Sequence, residues 1–115
     1  MKRNLDLVRA ILLDVEARGT PLELIDPEVD GFKELEISYH VMLLADSGLI
    51  RAMDRTAIGI FRWSAGALTW RGHEMVEYLR DDDLWHKAEL LLQLSEVFRH
   101  QGDLQTAGLY VIYIY

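Results

Sequence analysis

The sequence predicts an α+β domain, and three observations support this class. Segments 4–18 and 33–47 carry apolar residues at three- and four-residue spacing, which is typical of helices with one buried face. Segments 49–54 and 58–70 then read as two strands joined by a turn. A third helix is predicted over 71–80. Helices that frame an antiparallel hairpin define an α+β architecture.

The first predicted helix, 4–18, has clear ends. Asn4 is a favourable N-cap, because its side chain can accept a hydrogen bond from a backbone N–H of the first turn. Asp6 lies where the helix dipole favours negative charge, and Gly19 is a typical stop. The expected apolar face comprises Leu5, Val8, Ile11, Leu12 and Val15.

The second helix follows a short strand predicted at 22–26 and a turn-rich loop at 26–32. It covers 33–47 and stops at Gly48. Its expected apolar stripe comprises Leu35, Ile37, Val41, Leu43 and Leu44.

The two strands that follow form the predicted wing. Gly59 and Gly66 interrupt the second strand and predict a bulge or a split. The order helix, short strand, helix and hairpin is the winged helix-turn-helix arrangement. Here the loop at 26–32 stands where many winged helices have a separate positioning helix.

Two helices and a tail complete the predicted order. Thr69 is the expected N-cap of the helix at 71–80, and Asp81–Asp83 precede another from about 84 to 100. The end of the chain alternates tyrosines with β-branched residues and predicts a terminal strand. The chain therefore divides into a winged-helix-like domain, 1–100, and a tail, 101–115.

Composition excludes several classes of protein. The 115 residues are 50% hydrophobic, which suffices for a core. The absence of cysteine excludes disulfides and thiolate metal sites. No apolar run of about 18 residues exists, so no membrane span is expected. Charges within the first apolar stretch, such as Arg9 and Asp14, argue against a signal peptide and favour a cytoplasmic location.

The net charge of −7 is unevenly distributed. Residues 20–49 hold seven acidic side chains against one lysine, whereas residues 50–72 hold four arginines against one aspartate. The arginines of this basic island are Arg51, Arg55, Arg62 and Arg71. They are candidates to contact the DNA backbone or minor groove; the alternative is an ordinary charged hairpin.

The second helix is a weaker candidate for contacting double-stranded DNA. On its expected exposed face, Ser38, Tyr39 and His40 could reach DNA. Phosphates would repel the acidic side chains of that face, Glu34, Glu36 and Asp46. The alternative is a helix that faces solvent or another protein.

No catalytic constellation is recognisable. His73 shares a helix face with Glu77, but no His-Glu-x-x-His pattern is present. Asp81–Asp83 are better explained as helix caps than as Mg²⁺ ligands. We therefore predict that the protein is not an enzyme and uses neither a cofactor nor a metal.

The aromatic residues indicate an interface. The three tryptophans, Trp63, Trp70 and Trp85, are expected to pack in the core or the hairpin, and Trp63 could instead anchor a partner from the wing. The tail is apolar on both faces of its predicted strand, so another subunit or the chain's own sheet must cover it. We expect a homodimer. The tail candidates are Tyr110, Ile112, Tyr113, Ile114 and Tyr115.

Three blocks of sequence resemble a known family. MKRNLDLVRAILLDVEA, EISYHVMLLADSGLI and LTWRGHEMVEYLRDDDLWHKA are similar to a domain-of-unknown-function family of short bacterial and prophage proteins, over roughly residues 1–92. SYHVMLLADSGLI and ALTWRGHEMVEYL also resemble winged-helix repressors of the ArsR and MarR kind. The second resemblance implies DNA binding by analogy of fold.

Taken with the residues, these resemblances give a functional expectation. The protein is expected to be a phage- or prophage-type DNA-binding or transcription-regulatory accessory factor. The alternative is an acidic winged-helix module that binds a protein and does not bind DNA.

Overall fold

A computed structural model of the chain describes residues 1–88 and residue 90. The elements in chain order are α1 (Leu5–Arg18), α2 (Glu34–Asp46), β1 (Ile50–Asp54), β2 (Trp63–Leu68) and α3 (Trp70–Leu79). Residues 82–88 and 90 are also helical. The α+β class is therefore confirmed. The chain forms two compact units, Met1–Val76 and a second that begins at Glu77, and the boundary predicted after residue 100 lies outside the described residues.

Helix α1 begins and ends as predicted. The Asn4 side chain accepts a hydrogen bond from the Leu7 backbone N–H at 3.1 Å, and the helix ends at Gly19. The predicted apolar face needs one correction, because Leu7 is fully buried whereas Leu5 and Val8 are half-buried.

Helix α2 ends in a Schellman motif. The Leu49 N–H donates to the Leu44 carbonyl and the Gly48 N–H donates to the Ala45 carbonyl, each at 3.0 Å. Gly48 has φ +79°, a conformation that glycine adopts without steric cost. The predicted stop at Gly48 is therefore confirmed.

The core of the first unit lies between α1, α2 and the hairpin. Its buried side chains include Ile11, Leu12 and Val15 of α1, Ile37, Val41 and Leu44 of α2, and Ile50, Ala65 and Leu68 of the strands. Leu35, which was predicted to belong to the α2 stripe, is 52% exposed instead.

The strands pair antiparallel, with Asp54 opposite Trp63 and Ile50 opposite Leu68. The register shifts beside Arg51, because Gly66 and Ala67 together oppose this one residue. The predicted bulge is thus confirmed. The strand predicted at 22–26 is reduced to a single bridge between Ile25 and Ala65.

The second strand begins later than predicted, at Trp63 rather than at residue 58. Ala57 and Ile60 exchange two backbone hydrogen bonds around a two-residue turn. Both turn residues have positive φ, +52° at Ile58 and +72° at Gly59, as in a type I′ hairpin turn.

Both predicted caps of the later helices are present. The Thr69 hydroxyl accepts from the Gly72 N–H at 3.1 Å and donates to the Gly48 carbonyl at 2.6 Å. The Asp81 carboxylate accepts from the Asp83 and Leu84 backbone N–H groups. Trp85 is buried, as predicted.

Trp70 corrects the prediction that it packs in the core or the hairpin, since it is 80% exposed at the start of α3. Within residues 1–88 and 90, no helix combines the length and the apolar character that crossing a membrane requires. The tail candidates Tyr110, Ile112, Tyr113, Ile114 and Tyr115 lie outside the described residues.

Candidate functional site

A cleft of about 500 Å³ lies between the loop after Ile25, the start of α2 and residues 60–63 of the hairpin, which lead into and begin β2. Three lining residues, Pro27, Ile37 and Ser38, are buried and form its floor. Half-buried apolar side chains extend this floor: Val29, Phe32, Phe61 and Trp63. Trp63, which the sequence offers either as a packing residue or as a partner anchor, is half-buried and contributes to this concave surface.

The rim of the cleft is acidic. Its exposed charged residues are Asp26, Glu28, Asp30, Glu34 and Arg62. Four carboxylates and one guanidinium leave the rim with three negative charges. A cleft with this rim repels phosphate and attracts cations.

One ion pair joins the loop to the hairpin. The Arg62 guanidinium donates to one Asp26 carboxylate oxygen, and the Ser64 hydroxyl donates to the other at 2.5 Å. The Arg62 hydrogen bond holds the pKa of Asp26 below its ordinary value, and the Ser64 hydrogen bond and the charge of Arg55 act in the same direction. The same bond raises the pKa of Arg62.

The four arginines of the basic island are all exposed but have different surroundings. Arg62 is held by Asp26, and Glu34 also attracts it. Arg51 lies at the bulge of β1, and Arg71 has a guanidinium nitrogen near Gly48. The acidic loop thus partly neutralises the island that the sequence suggested as a DNA contact.

Two of the three α2 candidates are not on the exposed face. Ser38 is 8% exposed and His40 is 1% exposed. The prediction that they are exposed is wrong, because the buried arc of α2 is wider than the spacing of Ile37, Val41 and Leu44 indicates. Tyr39 is half-buried, and its ring meets the His40 ring edge-on, with centroids 5.8 Å apart.

His40 has a structural role. Its Nε2 accepts from the Asn4 backbone N–H at 2.8 Å, and its Nδ1 lies 2.8 Å from the Glu36 carbonyl. Since Nε2 accepts, Nδ1 carries the proton and donates to Glu36. His40 therefore fastens the start of α1 to α2 and is not available for DNA.

The outward side of α2 combines apolar and acidic residues. Leu35 is 52% exposed, and Tyr39, Met42 and Leu43 are half-buried. Glu36 and the exposed Asp46 flank them. We call Leu35, Tyr39, Met42 and Leu43 the outward face of α2.

A basic cluster that sequence reasoning missed lies at the N-termini of α1 and α2. Lys2, Arg3 and Lys33 line one depression together with Leu35 and Glu36. The cluster arises because the bond from Asn4 to His40 brings residues 2–3 near the start of α2. Lys33 is about thirty positions from Lys2 and Arg3, so no local pattern could have revealed the cluster.

No group of three or more His, Asp or Glu side chains able to hold a metal ion occurs in the part of the chain that the structure describes. The candidate surfaces are therefore the cleft, the outward face of α2 and the basic cluster.

Comparison with known proteins identifies the family. The family profile "Hypothetical protein (DUF2513)" matches residues 2–97. The chain belongs to the DUF2513 family. This membership confirms the resemblance to a domain-of-unknown-function family. A relative from Haemophilus influenzae, described as "Uncharacterized protein", is 36% identical over 94 residues, which cover 81% of this chain and 80% of the relative. No solved structure matches this DUF2513 chain.

Proposed function

We propose that this DUF2513 chain is a winged-helix-like module that binds another protein through the outward face of α2. The order of elements supports the likeness to a winged helix, because α2 directly precedes the hairpin. A single bridge between Ile25 and Ala65 of β2 stands where a winged helix has a third strand. In a DNA-binding winged helix, the corresponding helix would enter the major groove.

The observation that carries the proposal is the composition of α2. Between Glu34 and Asp46 the helix contains no lysine or arginine. Arginine, lysine, asparagine and glutamine are the side chains that commonly read bases, and none lies on the outward face. Aromatic and methionine side chains are enriched in protein interfaces, and this face presents Tyr39 and Met42.

Site-specific photo-cross-linking in bacterial cells that make the protein tests the proposal. Benzoylphenylalanine in place of Tyr39 is expected to give a discrete cross-linked protein band that survives nuclease treatment. The same group in place of Glu74, an exposed residue of α3, is expected to give none.

A matched pair of leucine variants provides the control. Leu35→Lys introduces a charge on the outward face and is expected to abolish the band. Leu22→Lys changes a leucine that is 91% exposed elsewhere and is expected to leave it unchanged. A band that nuclease removes, or one that Leu35→Lys does not weaken, would contradict the proposal.

Duplex DNA is the second candidate partner, and the basic cluster is the observation that favours it. Lys2, Arg3 and Lys33 lie at the start of α2, and Arg51 and Arg55 are exposed on the hairpin. Under this alternative a random-sequence duplex binds at about 50 mM salt, where phosphate contacts are strong. The change Lys2→Ala with Lys33→Ala would then weaken binding. If no duplex is retained at this salt, the DNA alternative fails.

We also propose, from the sequence, that the chain forms a homodimer through its tail. Deleting residues 104–115 and measuring the mass in solution tests this. The full chain is expected to have the mass of a dimer and the shortened chain the mass of a monomer. An unchanged oligomeric state would exclude a dimer formed by the tail.

A further inference from the structure

We infer that the cleft beside the hairpin binds an arginine side chain in an apolar segment of a partner protein. This inference deepens the proposed protein-binding function and rests on it. It names both a second contact surface and the chemistry of the segment that this surface takes.

The cleft has a size and a lining that suit a bound side chain. Its volume of about 500 Å³ lies within the range of clefts that hold small ligands or side chains. The floor is apolar, with Pro27 and Ile37 buried at its base. An apolar floor excludes a partner that is purely ionic and favours one that carries hydrocarbon beside its charge.

The rim of the cleft carries carboxylates that suit a cation. Asp30 and Glu34 stand on the rim and are exposed, whereas Asp26 is already engaged by Arg62. Carboxylates at the edge of an apolar cleft suit a cation whose head reaches the rim while its stem covers the floor. Phosphate and other anions are excluded by the same charges.

An unbonded hydroxyl on a buried residue that lines the cleft is an independent sign of a ligand. Ser38 lines the cleft with 8% of its surface exposed, and its hydroxyl forms no hydrogen bond within residues 1–88 and 90. No side-chain polar atom that is sealed from solvent in this part of the chain lacks a partner, so the unbonded Ser38 oxygen is accessible, and Ser38 lines the cleft. A hydroxyl in this position can accept a hydrogen bond from a bound donor.

The aromatic lining selects arginine over lysine. Phe32, Phe61 and Trp63 are half-buried and line the cleft below the charged rim residues. A guanidinium is planar, stacks on aromatic rings and donates several hydrogen bonds at once, whereas an ammonium is a compact and strongly hydrated charge. The cleft therefore combines what arginine recognition needs: aromatic side chains, carboxylates and one hydroxyl acceptor.

Fluorescence anisotropy with a defined peptide tests the inference on the full chain. The probe is labelled Gly-Ser-Leu-Arg-Leu-Ser-Gly at about 50 mM salt, where ionic contacts are weakly screened. The reference peptide carries citrulline, which has the shape of arginine without its charge. The arginine peptide is expected to bind at least about tenfold more tightly, the change that one lost charged contact gives. A lysine peptide is expected to bind several-fold more weakly than the arginine peptide.

Variants of the protein locate the binding. Asp30→Asn with Glu34→Gln is expected to remove the preference for arginine over citrulline. Glu23→Gln with Glu74→Gln removes two exposed charges outside the cleft and is expected to keep the preference. Ser38→Ala is expected to weaken the arginine peptide several-fold, and circular dichroism verifies that each variant is folded.

The outcomes separate this inference from the proposed function. Equal binding of the arginine and citrulline peptides, or a preference that survives Asp30→Asn with Glu34→Gln, would overturn the inference. Equal binding of lysine and arginine peptides would overturn the assignment of arginine. The Tyr39 cross-link is measured independently of the peptide assay. If no cross-linked band forms while the preference for arginine is present, the proposed role of the outward face of α2 fails and the inference about the cleft stands.

Discussion

The core around α2 and the outer end of the hairpin differ in how well packing and hydrogen bonding explain their side chains. In the core, Val41 is fully buried and even the polar His40 has a partner at each ring nitrogen. At the hairpin end, Ile58 is 99% exposed and holds φ +52°, a conformation that β-branched residues rarely adopt. Core side chains are therefore explained by stability. The exposed, conformationally unfavourable Ile58 at the hairpin end is not explained by stability. We therefore look for function in the hairpin and in the cleft beside it.

Truncating a core leucine is the strongest test of this difference. Leu44→Ala is expected to lower the free energy of unfolding by about 2–5 kcal/mol, because it removes packed methyl groups and leaves a cavity. Leu35→Ala, on the same helix but exposed, is expected to cost less than about 0.5 kcal/mol. Urea unfolding measures both. Similar losses would show that the outward face of α2 is covered within the chain.

Replacing His40 tests the polar part of the core. His40→Leu leaves the Asn4 N–H without its acceptor and removes the side-chain hydrogen bond to the Glu36 carbonyl, which keeps its helical backbone bond. The change is expected to cost about 1–3 kcal/mol. His73→Leu, at an exposed position, is the matched control and should change stability by less than about 0.5 kcal/mol. If both variants unfold at the same urea concentration as the parent chain, His40 is not a structural residue.

Local signals predicted the helices well, because their ends depend on neighbouring residues. Asn4, Gly48 and Thr69 act on backbone groups within a few positions, so their roles can be read from the sequence. The burial of His40 could not be predicted, because it depends on a hydrogen bond to a residue 36 positions away. The single bridge at Ile25 likewise depends on how β2 approaches it.

The candidate site was visible only in part. The sequence shows an acidic segment and a basic hairpin, but nothing in it indicates that the two meet. The structure joins them through Asp26 and Arg62, which are 36 positions apart. Because charge along a chain carries no information on which groups meet, neither the ion pair nor the cleft above it could be predicted.

A substitution in the hairpin turn is expected to raise stability rather than lower it. Ile58→Asn is expected to stabilise the fold by about 0.5–1 kcal/mol, because asparagine tolerates positive φ better than a β-branched residue. Ile60→Asn, at a neighbouring exposed position without positive φ, serves as control and should not stabilise. Thermal unfolding measures both changes. Destabilisation by Ile58→Asn would show that the isoleucine contributes to folding after all.

The ion pair between the loop and the hairpin should give the smallest effect. Arg62 lowers the pKa of Asp26 in the folded chain, so the pair stabilises the fold above the ordinary aspartate pKa of about 3.9. This stabilisation is lost as the pH falls through the lower pKa of the folded state. Both side chains are about half exposed, 44% for Arg62 and 52% for Asp26, so solvent screens the interaction.

The measurement compares Arg62→Gln with the parent chain by urea unfolding at pH 6 and at successively lower pH. The variant is expected to be slightly less stable at pH 6, and the difference should shrink in acid as Asp26 is protonated. Arg51→Gln removes an exposed arginine of the same hairpin that does not contribute to the pKa shift of Asp26. The difference in unfolding free energy between Arg51→Gln and the parent chain should not change as Asp26 is protonated. A deficit for Arg62→Gln that stays constant with pH would mean that Arg62 stabilises the fold by packing against the cleft wall rather than by its charge.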